Sequence, residues 1–262
     1  MAAMKKIAIL TSGGDSPGMN AAIRAVARSA VAKDMEAVGI MRGFEGLLEG
    51  DFRPLGARDV GGIIHRGGTI LQTARSSRFM EPQWQDRAAD NLLGAGIQGL
   101  AVIGGGGSFQ GARELQKRGV AVAGIPGTID NDIAGTELSI GFRTAVETAL
   151  DAVMRLRDTA SSHDRLFIVE VMGGRSGFLA LDVAVAGGAE AVIVPEVQFS
   201  LGRLIDRLHE ARKKGKTHSL IILAEGVMPA RELRDRIQDT AGYDARVTVL
   251  GHIQRGGSPC AV

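Results

Sequence analysis

The sequence has few of the residues on which several classes of protein depend. Among its 262 residues is one cysteine, Cys260, which excludes an internal disulfide and a cysteine-based zinc site. One tryptophan, Trp84, and one tyrosine, Tyr243, leave little material for stacking against single-stranded nucleic acid. The net charge of +2 predicts no bulk attraction to nucleic acid. No signal-like or membrane-spanning apolar run occurs, so we expect a cytoplasmic protein without membrane contact.

Glycine, in contrast, is abundant: the chain has 37, and they cluster where apolar runs end. Apolar runs of strand length alternate with helical stretches along the whole chain. This order predicts an α/β fold with two Rossmann-like three-layer α/β/α lobes and mostly parallel sheets. We expect one lobe over residues 1–139, a second over 140–250, and a segment over 251–262 that begins a return to the first lobe.

The stretch Pro126–Asp132 places two carboxylates and a hydroxyl close together after the apolar run 120–125. We interpret this run as a buried strand that ends in a tight loop at Pro126-Gly127, because ligands of parallel α/β sheets bind beside the carboxyl ends of strands. One carboxylate is then available as a base, while the other holds a metal or tunes its neighbour's pKa. The alternative is an ordinary Asp-rich loop whose side chains bond their own backbone.

Other glycine-rich stretches follow the same order of strand, loop and helix, which aims helix N-terminal amides at a phosphate. They are 11–20, 104–108 and 173–177, and a further stretch with glycine, 66–75, begins and ends with an arginine. His252 and Arg255 follow the last strand in a similar setting. For each there is an alternative: a glycine turn needed only for packing, a solvated arginine, or a hydrogen-bonded structural histidine.

Three motifs carry a resemblance to a known family: Gly13–Asn20, Pro126–Asp132 and Gly251–Gly257. In this order and spacing the chain resembles bacterial 6-phosphofructokinase from Lys5 to Pro259. The resemblance implies a two-lobed homotetramer that uses ATP and Mg²⁺ to phosphorylate the 1-hydroxyl of fructose 6-phosphate. It also implies an effector site for ADP or phosphoenolpyruvate between subunits.

The family's site residues transfer to matching positions here. The resemblance makes Asp130 the base, Thr128 the residue that orients the phosphoryl group, Asp132 the metal and charge-balance residue, and Arg75 the phosphate contact. The nucleotide site would comprise Gly13, Phe44 against the adenine, Arg75, Gly105, Gly106, Gly107 and Ser108. The sugar-phosphate site would comprise Thr128, Asp130, Asp132, Met172, Gly173, Glu225, His252 and Arg255, with Arg165 and Arg246 reaching across from a neighbouring subunit. The effector site would comprise Arg24, Arg28, Arg157, Glu190, Lys214 and Lys216. The alternative is that the basic run 212–216, which contains the two lysines, is only a solvated helix end.

The chain departs from the family at three places. Gly106 replaces a magnesium-binding Asp, and Gly174 replaces an Arg of the sugar loop, with Arg175 one position later. The family also continues beyond Pro259, so we expect a longer chain. Gly107 and Gly127 replace the Asp and Lys of pyrophosphate-dependent relatives, which favours ATP as the donor. The alternative function is a weak or inactive homologue that binds ligands as a regulatory subunit.

Overall fold

The computed structural model describes residues 4–163 and 165–261, and the chain forms two compact units. Unit 1 comprises Met1–Thr128, Ile133–Gly141 and Gly257–Val262, and unit 2 comprises Ile129–Asp132 and Phe142–Gly256. The short segment Ile129–Asp132 therefore belongs to unit 2, although the chain on both sides of it belongs to unit 1.

The sequence placed the lobe boundaries at 139 and 250, and it did not separate the segment 129–132 from its flanks. The parts of those lobes at residues 1–3, 164 and 262 lie outside the described residues. Within the described ranges, no helix combines the length and the apolar character needed to cross a membrane.

Unit 1 is built on a sheet with helices on both faces. Its strands lie in the order β3-β2-β1-β4-β5-β6, all parallel except for β3 against β2. Along β1, Ile9 packs into one core cluster while Ala8 and Leu10 pack into another, which is why the strand is apolar on both sides. The elements are β1 (Lys6–Thr11), α1 (Met19–Val31), β2 (Glu36–Ile40), α2 (Gly43–Glu49), β3 (Phe52–Pro54), α3 (Pro82–Gly94), β4 (Gly99–Gly104), α4 (Gly106–Lys117), β5 (Ala121–Thr128) and β6 (Ile140–Gly141).

Unit 2 is built on a parallel sheet in the order β10-β7-β9-β8. Leu166 and Ile168 of β7 pack with α7 and α8, whereas Phe167 and Val169 are buried on the opposite face of the same strand. Both faces of this sheet are therefore covered, as the predicted three-layer lobes require. The elements are α5 (Phe142–His163), β7 (Leu166–Val171), α6 (Phe178–Gly187), β8 (Ala191–Ile193), α7 (Leu201–Lys213), β9 (Ser219–Ala224), α8 (Ala230–Ala241) and β10 (Ala245–Val249).

The interpretation of β5 as a buried strand that ends at Pro126-Gly127 was wrong. The strand continues to Thr128, and Ala121, Ala123 and Gly124 are exposed. The cause is its place in the sheet: β4 pairs with it as far as Pro126, and the two-residue strand β6 pairs only with Gly127 and Thr128. Along most of β5, no strand within the described ranges pairs with the edge that faces away from β4. Proline is tolerated at such an edge because no backbone N–H is needed there for pairing with another strand.

Candidate active site

In unit 1, the loops that follow β1 and β4 lie against each other, because parallel strands end at the same edge of the sheet. A Cβ on Gly104 would lie 2.5 Å from both Ser108 Oγ and the Ser12 carbonyl oxygen. Gly13 has a left-handed φ of +86°, and a Cβ there would lie 3.4 Å from the same Ser108 Oγ. Space excludes a Cβ at Gly104, and the left-handed backbone favours glycine at position 13, so the structure places Gly13 close to Ser108. Their binding of a nucleotide stays a prediction.

The start of α4 has room for a ligand. Gly105 is the N-cap, and Gly106 and Gly107 form the first turn, where backbone N–H groups have no intrahelical acceptor. A Cβ on Gly106 or Gly107 would meet no atom within 4 Å. Thr128 lies beside this helix start, 3.7 Å from the position of a Cβ on Gly105. The arrangement is suited to an anion above the helix N-terminus.

The loop that carries Arg75 is fixed by two buried side chains that sequence reasoning missed. Asn20, at the start of α1, donates from Nδ2 to the carbonyls of Arg66 and Gly67 at 3.0 and 3.1 Å, and its Oδ1 accepts from the Ile70 amide at 2.7 Å. Thr11 Oγ1 donates to the Gln72 carbonyl at 2.9 Å. Arg75 itself is exposed. Nothing local in the sequence signals these contacts, because the partners lie about fifty positions apart.

Phe44 lies in the core of unit 1 and is 7% exposed. Its ring stacks on Phe79 with 4.2 Å between centroids. A Cβ on Gly111 of α4 would lie 2.7 Å from Phe44 Cζ and 3.1 Å from Phe79 Cε1. The two rings therefore form a wall against α4 that depends on Gly111, and the predicted adenine contact of Phe44 stays a prediction.

In unit 2, three carboxylates share one neighbourhood. Burial, and then the charges of Asp132 and Glu225, raise the pKa of Asp130 above its ordinary value. Glu225 follows β9, and its Oε1 accepts from the Gly174 amide at 3.0 Å. A Cβ on Gly174 would lie 3.2 Å from Asp130 Oδ2. The loop that carries Gly174 is therefore bonded to Glu225 and leaves little room for a Cβ beside the predicted base Asp130.

The loop after β7 is also tied to the last predicted motif. The Met172 amide donates to Gln254 Oε1 at 2.7 Å, and Gln254 is fully buried. His252 is exposed and Arg255 half-buried within the same 3₁₀ turn. Because β7, β9 and β10 are parallel, Met172, Glu225 and His252 lie at the carboxyl edge of this sheet. Sequence reasoning predicted this edge but overlooked Gln254.

Two predicted sugar-phosphate residues lie at the opposite edge. Arg165 precedes β7 and Arg246 is the second residue of β10, so both lie at the amino ends of their strands. A six-residue strand such as β7 is about 20 Å long. Arg246 also pairs with Asp244 at 3.0 Å. Neither arginine joins Met172 and Glu225 in a single site within this unit.

The predicted effector residues of unit 2 gather partly around the turn between α6 and β8. Arg157 Nη1 donates to the Gly187 carbonyl at 2.7 Å, so this side chain closes the end of α6. Lys216 Nζ lies 2.7 Å from Glu190, which also accepts from the Leu220 amide at 2.6 Å. Lys214 is exposed at the end of α7. In unit 1, Arg24 donates to the Val60 carbonyl at 2.7 Å, and Arg28 lies in the last turn of α1.

Within residues 4–163 and 165–261, no three His, Cys, Asp or Glu side chains form a metal-binding group. Mg²⁺ does not need one, since it commonly takes one or two carboxylates and completes its shell with water and substrate phosphates. The crowding of Asp130, Asp132 and Glu225 leaves negative charge that a cation would relieve. Carboxylate oxygens are ligands that Mg²⁺ accepts, so Asp132 fits the predicted role of metal ligand, which stays a prediction.

The chain is similar to known proteins in sequence and in fold. The model of a family described as phosphofructokinase matches residues 6–262. The chain is 55% identical over 258 residues to the ATP-dependent 6-phosphofructokinase of Natranaerobius thermophilus, covering 98% of this chain and 81% of that protein. The corresponding protein of Clostridium tetani is also 55% identical over the same coverage. A solved phosphofructokinase from Saccharomyces cerevisiae is similar with a TM-score of 0.91 and 37% identity, over 97% of this chain and 39% of that one.

Proposed function

The chain belongs to the phosphofructokinase family, and on that premise we propose that it transfers the γ-phosphoryl group of ATP to the 1-hydroxyl of fructose 6-phosphate. It is then a phosphotransferase of glycolysis. The observation that carries the proposal is the setting of Asp130, a half-buried carboxylate whose pKa is raised by burial and by Asp132 and Glu225. A carboxylate with a raised pKa is a better proton acceptor at neutral pH than an ordinary one.

The order of Thr128 and Asp130 along the chain suits the in-line transfer of a phosphoryl group. Thr128, beside the N-terminus of α4, orients the transferring phosphoryl group, and Asp130, two residues later, accepts the proton of the sugar hydroxyl. The nucleotide phosphates bind to the amides of Gly106 and Gly107 and to the guanidinium of Arg75. The same nucleotide site includes Gly13, Gly105 and Ser108. Phosphoryl transfer depends mainly on such positioning and charge stabilisation.

Magnesium is part of the proposal. Asp132 would hold Mg²⁺ together with the nucleotide phosphates, and when bound the ion neutralises the charge of the transferring group. Gly106 contributes no carboxylate to the ion.

The choice of ATP over pyrophosphate rests on Gly127 and Gly107. A Cβ on Gly127 would lie 3.2 Å from Ile103 Cγ2 and 3.5 Å from both Met19 Cε and Ser16 Oγ. The Cβ of a lysine there would press on Ile103 and would be in ordinary contact with Met19 and Ser16. At Gly107 the space is open, which leaves room for a nucleotide.

Sugar-phosphate binding uses Met172, Gly173, Glu225, His252 and Arg255 at the carboxyl edge of the unit 2 sheet. Arg165 and Arg246 lie at the amino edge, which supports their use by a neighbouring subunit. A homotetramer, an ADP or phosphoenolpyruvate site at Arg24, Arg28, Arg157, Glu190, Lys214 and Lys216, and a cytoplasmic location complete the proposal. Arg157 and Glu190 are also explained by their bonds to the α6 end and to β9.

The second candidate is a regulatory homologue that binds the ligands without turnover. The observation in its favour is Gly106, where a carboxylate ligand of the metal is absent. Measuring fructose 1,6-bisphosphate with Mg-ATP and, separately, Mg-pyrophosphate decides between them. We expect product with ATP and at most a trace with pyrophosphate. Binding of both ligands without product from either donor would replace the kinase with the regulatory homologue.

A further inference from the structure

Two buried serines donate hydrogen bonds to the backbone carbonyls of the two residues proposed to do the chemistry. Ser139 Oγ donates to the Thr128 carbonyl at 2.8 Å, and Ser139 is 3% exposed. Ser176 Oγ donates to the Asp130 carbonyl at 2.9 Å, and Ser176 is 7% exposed. Ser139 and Thr128 belong to unit 1, whereas Ser176 and Asp130 belong to unit 2. The Thr128 carbonyl is therefore held by a serine of unit 1, and the Asp130 carbonyl by a serine of unit 2.

Both serines are themselves fixed. The Ser176 amide donates to the Gly173 carbonyl at 2.9 Å, and the next amide, of Gly177, donates to Glu196 Oε1 at 2.7 Å. Ser139 immediately precedes Ile140 of β6, which is paired with Gly127 of β5. A hydroxyl on a rigid, buried support holds its acceptor in one place, and loss of the hydroxyl removes that donor from the carbonyl.

The segment that they hold has an unusual backbone. Asn131, between the two aspartates, has a left-handed φ of 52°. Such a conformation is uncommon outside glycine, although asparagine tolerates it better than most residues, and it persists when the surroundings hold it. A backbone anchored at the carbonyl of Asp130 fixes where that residue's carboxylate can lie.

We propose that Ser139 and Ser176 are positioning residues that hold Thr128 and Asp130 in the geometry required for phosphoryl transfer. The inference rests on the proposed function, since it takes Thr128 and Asp130 as the reacting pair. Neither serine contacts substrate in this account. Their effect is on kcat, because misplacement of a reacting group by about 1 Å can cost about 100-fold in rate without weakening binding elsewhere.

The test uses Ser139→Ala and Ser176→Ala, with Ser161→Ala as the matched control. Ser161 Oγ also donates to a backbone carbonyl, that of Asp158 at 2.9 Å, but it is exposed on α5. We expect kcat to fall by about 10- to 100-fold in each of the first two variants, with KM for fructose 6-phosphate within about threefold of the parent. The control variant is expected to keep the parent's kcat. Equal kcat in all four proteins would overturn the proposal, and so would a loss confined to KM.

Amide hydrogen exchange over residues 128–133 gives a second readout that does not need turnover. Loss of either serine hydroxyl is expected to speed exchange in this segment by about tenfold, while the Ser161 variant leaves it unchanged. Unchanged exchange in the Ser139 and Ser176 variants would overturn the inference even in an active enzyme. If the parent makes no product but the exchange result holds, the proposed function fails while the anchoring of the loop stands.

Discussion

Glycine has a different purpose in two of the loops that follow strands, one loop in each unit. At the start of α4 in unit 1, Gly106 has ordinary helical backbone, and a Cβ there would meet nothing within 4 Å. After β7 in unit 2, Gly174 has a φ of +59°, and a Cβ would lie 3.2 Å from Asp130 Oδ2. Gly106 leaves open space at the start of the helix. Gly174 is required by its left-handed backbone and by the nearby Asp130 carboxylate. The family resemblance implies a longer side chain at both positions, and only position 106 has room for one without a change of the backbone.

Among substitutions in these two loops, the largest effect is expected from Gly174→Ala. A left-handed alanine costs about 1–2 kcal/mol of stability, and its methyl group would press on the Asp130 carboxylate. We expect kcat to fall by about 100-fold, in line with the cost of a small displacement of a reacting group. Urea unfolding and steady-state kinetics measure the two effects.

The matched control is Gly106→Ala, the same chemical change in the other loop. Alanine in a helix is about 1 kcal/mol more favourable than glycine, so this variant should be at least as stable as the parent. Equal loss of stability in both variants would remove the distinction between the loops.

A smaller effect, in the opposite direction, is expected from Gly106→Asp. The open space admits the side chain, and a carboxylate in the first turn of a helix is favourable. An added magnesium ligand should lower the Mg²⁺ concentration for half-maximal rate several-fold, up to about tenfold, and raise kcat. A magnesium titration of the rate shows the change. If neither quantity moves, position 106 has no part in metal binding here.

The smallest effect concerns pH. Asp130 must be deprotonated to act as base, and its raised pKa places the acidic limb of the rate profile above the pH of an ordinary aspartate. Glu225→Gln removes one of the charges that raise this pKa while keeping an oxygen for the Gly174 amide. The acidic limb of kcat should therefore move to lower pH, by an amount within about one pH unit. A shift to higher pH would contradict the assignment of Asp130 as the titrating base.

The sequence predicted the carboxyl ends of strands well, and for a physical reason. An apolar run followed by glycine and a polar residue is a local pattern, and in a parallel sheet all such ends meet at one edge. His252 was singled out in this way, whereas Met172 and Glu225 entered through the family resemblance. Their ligand roles came from the family resemblance and not from the pattern.

The residues that hold those ends were not predictable. Asn20, Gln254, Ser139 and Ser176 act through bonds to backbone groups that are distant in the sequence or on another element, and a lone polar residue gives no local signal of such a partner. The course of β5 was misjudged because proline was read as a strand end without knowledge of the sheet edge. Likewise, a glycine in the sequence does not show whether its position has room for a side chain, as at Gly106, or requires glycine for its backbone, as at Gly174.

The most direct test of the account is the rate of fructose 1,6-bisphosphate formation by the Asp130→Asn variant, measured beside its binding of fructose 6-phosphate. Asparagine keeps the size of the side chain but cannot accept the proton. We expect kcat to fall by about 100- to 10,000-fold, the range for a lost general base, while the dissociation constant of the sugar phosphate changes by less than about threefold. A variant that retains the parent's rate would show that Asp130 is not the base and would contradict the central claim.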